Sequence, residues 1–407
     1  MIVYDRNLLL LLASNFLTSI GIGVAMIAIP WLLATRSDGG VLFGVLMTGS
    51  NIALALVTPF IGVAIDRQSR KSVMIAIRLI FVVGLLIVLL LHRSGGGQTY
   101  ALVLYYLLGA SFYVVNIPLR TAFVQELYFD RDYARVNSVL EIENQAAAVA
   151  IGAIAIIAME KFGLTPILLL NGFALAIAIG LIEAIKYTRK TLPVTRTNAV
   201  KEMAEGLAFL KGRPLVSGLL LVATLPYVIV ILYSYLHPVA LGALDGASGA
   251  DYATVEILFA IGAMAAGWAL VVVPISVRRL PSAITWCVGL FALTALVQAL
   301  VPFKLAFFAI GALFGALNSV ARILRQTLLM RTMAPNQIGR VGAFLQSWIM
   351  ALRALTLAVA TGLVAQANIV TALWFAALVP LVGWAMLRLR SNRNLVTLTA
   401  TPKETST

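Results

Sequence analysis

Long apolar stretches alternate with short polar breaks along the whole chain. The apolar stretches fall at 7–35, 41–65, 73–92, 99–127, 133–160, 165–187, 212–242, 251–275, 281–302, 304–331, 337–366 and 369–388. Each is close to or above the roughly 20 residues that a helix needs to cross a hydrocarbon core of about 30 Å. In lipid only helices and closed barrels satisfy every backbone N–H and C=O, and runs this long and uniform are helical. The pattern predicts an all-α polytopic membrane protein with twelve transmembrane helices. Runs above 25 residues predict tilted helices or helices that extend past the bilayer.

Composition agrees with that reading. Hydrophobic residues make up 61% of the chain and charged residues 11%, and the mean hydropathy is +0.99. A soluble domain is about 45–50% apolar and about 25% charged, so a soluble fold of this chain would lack polar surface to face water. The first run is too long for a signal-peptide core and has no small-residue cleavage site behind it, so it reads as the first span. Cys287 is the single cysteine and lies inside an apolar run. It reads as a buried structural thiol, with no disulfide open to it within the chain.

The net charge of +14 would suggest a nucleic-acid partner in a soluble protein. Its distribution gives another reason. Taking the breaks alternately, the side that holds the N-terminus carries Arg67, Arg70, Lys71, Arg131, Arg135, the cluster at 186–213, Arg278, Arg279, Arg331, Arg340 and the basic tail. The other side carries only Arg36, Arg93, Lys161 and Lys304. The positive-inside rule places the richer side in the cytoplasm, and an even number of spans puts both termini there. The protein is expected in the cell (inner) membrane, with the lipid bilayer as its partner and no nucleic acid.

The longest break lies near the middle. It divides the chain into an N-terminal six-helix half at 1–187, a linker at 188–211, a C-terminal six-helix half at 212–388 and a cytoplasmic tail at 389–407. Within the linker, Met203, Leu207 and Leu210 fall near one face and Lys201, Glu202 and Glu205 elsewhere, the pattern of an amphipathic surface helix. The halves repeat. A shift of 202 positions lays Gly109, Ala110, Phe112, Asn116 and Arg120 on Gly311, Ala312, Phe314, Asn318 and Arg322. Asn and Arg are rare inside apolar runs, so their coincidence points to a parallel duplication of six spans.

The break after span 2 contains Gly62, Asp66, Arg67, Arg70 and Lys71. This resembles the signature loop of the major facilitator superfamily, with Ser69 at the position of the usual turn glycine. Pro118, Arg120, Ala122, Glu126, Val136 and Asn137, with the surface helix before span 7, resemble the macrolide-efflux and enterobactin-exporter branch. The resemblance implies two parallel six-helix halves that transport by alternating access. It also implies a latch: Gly62 lets helices approach closely, Asp66 faces a helix N-terminus, and Arg67, Arg70 and Lys71 pair with Glu126 or Asp130. Export of amphiphilic molecules, usually against a proton gradient, is the activity of that branch. Three departures bear on direction: Arg78 stands where an acid is common, span 5 carries Glu141 and Glu143, and its Gly-Pro pattern is reduced to Gly152.

Ionisable groups inside a span cost at least about 2.5 kcal/mol at a helix centre and need a partner, water or a function. Glu141 and Glu143 in span 5 and Arg353 in span 11 are the candidates for proton coupling, because a desolvated carboxylate can load and release a proton near neutral pH. Separation from an arginine would tie that event to conformation. Glu256 is a weaker candidate. Arg120, Arg322 and Arg325 are explained by snorkelling and topology, with gating or attraction of anions as the alternative. Asn15, Ser19, Tyr106, Tyr113, Asn116, Tyr227, Tyr233 and Asn318 lie in spans 1, 4, 7 and 10, which surround the central cavity in the family. They are candidate cavity-lining groups for an amphiphilic substrate. Pro226 and Pro238 can bend span 7.

The chain has no phosphate-binding Gly-rich loop, no metal-ligand spacing with His92 and His237 alone, and no nucleophile–base constellation. It is therefore expected to use no cofactor or metal and to catalyse no reaction; a monomer is the expected state. The leading reading is proton-coupled export of a drug, siderophore or similar molecule. The competing readings are an importer or facilitator in the same fold, and a scaffold or sensor that transports nothing.

Overall fold

The computed structural model describes residues 5–36, 38–67, 69–94, 97–128, 130–187, 206–208, 210–272, 275–301, 303–333, 335–366 and 368–394. For 57–67, 117, 118, 125, 130–135, 137, 138, 141, 145, 159, 160, 271, 277, 335–339, 343 and 390–394 the description stops at the backbone. The helices are α1 (Arg6–Ala34), α2 (Gly39–Arg67), α3 (Arg70–Arg93), α4 (Gln98–Leu127), α5 (Asp130–Lys161), α6 (Leu164–Glu183), α7 (Pro214–Val222), α8 (Leu225–Gly242), α9 (Gly249–Val272), α10 (Leu280–Leu300), α11 (Lys304–Thr332), α12 (Pro335–Gln366) and α13 (Ile369–Asn394). Residues 206–208, 210 and 211 of the linker are also helical.

Among the described residues, eleven segments are long and apolar enough to cross a membrane, and α7 with α8 counts as one of them. A twelfth, Ile142–Ala158, is a shorter apolar stretch within α5. Its polar first third carries Glu141, Glu143 and Asn144, which shortens the apolar stretch without shortening the helix.

Span 7 is divided. Pro226 has no N–H to give the carbonyl of Val222 and its ring crowds that turn, so the ladder cannot continue. The backbone turns at Ala223 and Thr224 instead, with the Thr224 hydroxyl donating to Leu221 O. Pro238 stays inside α8.

Two compact units emerge, one formed by Met1–Arg196 with His237–Ala260 and the other by Thr197–Leu236 with Ile261–Thr407. In the first unit α1 packs on α5 and α6, and α3 on α4 and α6. The last turns of α8 and the first half of α9 join it through close approaches. A Cβ on Gly242 would sit 2.9 Å from Thr35 Cγ2, and one on Gly152 would sit 2.1 Å from Ile257 Cγ1. In the second unit α10 packs on α11 and α13, so spans 9, 10 and 12 pair as spans 3, 4 and 6 do in the first.

Helix α3 shows the inversion that lipid imposes. It exposes Leu79, Ile80, Val83, Leu86, Ile87 and Leu90, and buries Arg78 completely. A soluble protein would not leave so continuous an apolar patch open.

Candidate functional site

The first cluster lies where α3 begins and α4 and α6 end. Ser69 caps α3, accepting from Ser72 N at 3.4 Å. Its φ of −65° is ordinary extended backbone, so the turn does not need a glycine there and the departure at this position is without strain. Arg70 meets Glu126 at 3.3 Å and donates to Ala122 O at 2.8 Å. The Tyr187 hydroxyl, just past α6, also donates to Glu126. Burial raises the Tyr187 pKa, and the bond to the Glu126 carboxylate raises it further. Lys71 donates to Glu183 O at 2.7 Å and Ile185 O at 3.0 Å, the carbonyl end of α6, where the helix dipole favours a cation. Of the proposed latch residues, Arg70, Lys71 and Glu126 are thus placed. Gly62, Asp66, Arg67 and Asp130 lie outside the described side chains.

The second cluster lies within the first unit, between α4 and α5. Glu143 is 8% exposed. Its carboxylate lies 3.8 Å from Arg120 and accepts no hydrogen bond. Arg120 donates to Asn144 Oδ1 at 2.9 Å. The Arg120 partnership was missed from sequence, where snorkelling explained this arginine. The signal available was an arginine and a glutamate within consecutive antiparallel spans. Glu141 lies outside the described side chains. On α9 of the same unit, Tyr252 hydrogen-bonds Glu256 one turn on and stacks on Trp31 at 6.4 Å.

Arg78 is the deepest cation. Its Nε meets Thr18 Oγ1 at 3.3 Å, its Nη1 donates to Met74 O at 3.1 Å, and Nη2 has no partner. The guanidinium lies 5.9 Å from the Phe112 ring centroid. Among the described residues it makes no ion pair.

The candidate lining groups divide by environment. In the first unit Asn15 is buried with both amide atoms unpaired, while Ser19, Tyr113 and Asn116 are half-buried. Tyr106 is buried edge-on to Phe43. In the second unit Tyr233 is buried, its ring 4.5 Å from Phe314 and its hydroxyl 3.5 Å from Ala295 O. Tyr227 is half-buried beneath the Arg353 guanidinium, 5.8 Å from the ring centroid. Asn318 is half-buried with Oδ1 unpaired. A separate cavity of about 280 Å³ sits in the first unit among Trp31, Arg36, His92, Gln98, Leu102 and Gly249.

These are the parts of a membrane protein that handles charge inside its spans, and comparison with known proteins places them in a family. A family model described as Major Facilitator Superfamily matches residues 11–356. No curated protein sequence matches the chain. Among solved structures, a bacterial homolog of the human lysosomal transporter Spinster is similar at 14% identity and a TM-score of 0.68, over 98% of this chain and 99% of that one. A nucleoside transporter matches at 11% and 0.70, over 97% and 100%. A D-xylose–proton symporter matches at 12% and 0.65, over 94% and 96%. At such identities the likeness is one of fold.

Proposed function

The chain belongs to the Major Facilitator Superfamily and is therefore a transporter rather than an enzyme, and on that premise we propose that it exports an amphiphilic small molecule in exchange for protons by alternating access. The observation that carries the reading is Glu143. It is nearly buried inside a span, its oxygens accept no hydrogen bond, and its charged neighbour Arg120 stands at 3.8 Å, beyond hydrogen-bond length. Such a carboxylate is held between two states: the arginine favours the anion and desolvation favours the acid. A small movement of α4 against α5 shifts the balance, so proton uptake and conformation are linked. Arg120 keeps a second partner in Asn144 when Glu143 is protonated, so the guanidinium is not abandoned in either state.

The cluster at Arg70, Lys71, Glu126 and Tyr187 supports the latch half of the proposal, with Gly62, Asp66, Arg67 and Asp130 as its further members. Two six-helix halves, with both termini cytoplasmic in the inner membrane and the linker between them, complete it.

The test is proteoliposome flux with an imposed proton gradient, using cationic, neutral and anionic amphiphilic dyes as cargo. Wild type should drive at least one dye uphill. Glu143→Gln, which fixes the neutral state, should abolish uphill movement and retain dye exchange at equal gradient-free concentrations. Uphill flux through the Glu143→Gln protein would refute the coupling assignment.

A further inference from the structure

The second unit has an unusual charge balance. From Ile257 to Lys403 the sequence contains no aspartate or glutamate, and 206–236 contains none either. Arg322, Arg325 and Arg353 nonetheless lie well inside its spans. Arg353 stands 18 residues into the 32-residue α12, or roughly 27 Å along the axis at 1.5 Å per residue. That is too far from either end for topology or snorkelling to explain its place. Its guanidinium lies 5.8 Å from the Tyr227 ring centroid. Arg325 on α11 is within electrostatic reach of the same tyrosine and of Arg322. Arg353 Nε and Arg325 Nη1 are both buried and donate to nothing. Both side chains remain half-exposed as a whole, so part of each guanidinium is reachable.

Cations converging on one tyrosine repel one another, and in an interior of low dielectric that repulsion is felt strongly. Elsewhere Arg70 has Glu126 and Arg120 has Glu143, while the lone Arg78 has a hydroxyl, a carbonyl and an aromatic ring. The spans of the second unit hold no carboxylate to play that part. A bound ligand can supply that counter-charge, and a planar guanidinium fork is matched to the oxygens of a carboxylate or phosphate. Beside it, the Tyr227 face and the apolar walls of α8 suit an uncharged body.

We propose that Arg325 and Arg353, arranged around Tyr227, bind the carboxylate or phosphate head of an amphiphilic organic anion, and that this anion is the cargo. The proposal rests on the transporter reading given above and narrows its substrate class. It does not rest on Glu143 or on proton coupling.

The full-length protein in detergent, with no gradient, is titrated calorimetrically with four naphthalene probes of one shape: 2-naphthoate, 2-naphthyl phosphate, 2-naphthol and 2-naphthylmethylammonium. The anions should bind at least about tenfold more tightly than the neutral and cationic probes, the factor that one charge-assisted hydrogen bond supplies. The two anions compared with each other identify the preferred head. Arg353→Gln and Arg325→Gln should each weaken anion binding by about tenfold or more. Arg353→Lys keeps the charge but loses the fork, so it should fall between. Arg331→Gln, in the exposed last turn of α11, should bind as wild type does. Equal binding of anion and cation, no binding of either anion by wild type, or unchanged affinity in the Arg325→Gln/Arg353→Gln double variant would each overturn the proposal. Should Arg353→Gln fail to fold, Arg325→Gln and Arg353→Lys still decide it. An absent anion preference would leave a proton-driven exporter standing, and a loss of proton-driven flux would leave the anion site untouched.

Discussion

At the scale of the residue, the protein treats its buried charges in different ways. Arg70 has a carboxylate and a carbonyl, Glu143 has an arginine without hydrogen bonds, and Arg78 has a hydroxyl, a carbonyl and an aromatic face. Stability should follow these differences. Glu126→Ala takes the carboxylate from a guanidinium that is 8% exposed and should destabilise by about 3 kcal/mol, whereas Tyr187→Phe, which removes one donor to the same carboxylate, should cost about 1 kcal/mol. Thermal unfolding of the three proteins in one detergent checks the order, and a Tyr187→Phe loss as large as that of Glu126→Ala would contradict it. The loop motif before α3 was readable because its spacing is linear in the chain. Arg120 with Glu143, and Tyr187 with Glu126, were not, because each pair depends on how neighbouring helices rotate about their axes. Hydropathy fixes where a helix begins and ends and says little about that rotation. Ser69 stands where the resembled family has a turn glycine, and its backbone is ordinary.

At the scale of the element, the division of span 7 is the clearest local feature. Proline placement made a bend legible, and the capping of the broken end by Thr224 was not, since a threonine in an apolar run signals nothing by itself. Close helix approaches were equally hidden, because glycines are frequent throughout the spans and only some of them touch a neighbour. Gly262 is one that does: a Cβ there would lie 2.0 Å from Ala312 O on α11. Backbone cannot move aside as a flexible side chain can, so Gly262→Ala should separate α9 from α11 and lower the melting temperature. Gly172→Ala on α6, where nothing lies within 4 Å of the added carbon, should leave it unchanged or slightly raised, because alanine favours helix over glycine by about 1 kcal/mol. Melting curves of the two variants provide the comparison, and equal losses would count against the close approach.

At the scale of the whole molecule, the membrane reading makes a directional prediction. The native cysteine is buried, its thiol on Leu317 O at 3.3 Å, so an added cysteine stands on a quiet background. Arg93→Cys should react with a membrane-impermeant maleimide added to intact cells, and Arg331→Cys only after the membrane is opened. Labelling with the opposite preference would invert the topology. The span count was legible in the chain because it arises from a one-dimensional pattern. The way Arg70 and Lys71 work together was not. As neighbours in sequence they grip two different helices, one holding the end of α4 and the other the end of α6. Three rods clamped at a shared point cannot peel apart one after another. A change of side chain at either residue is therefore felt by α3, α4 and α6 at once.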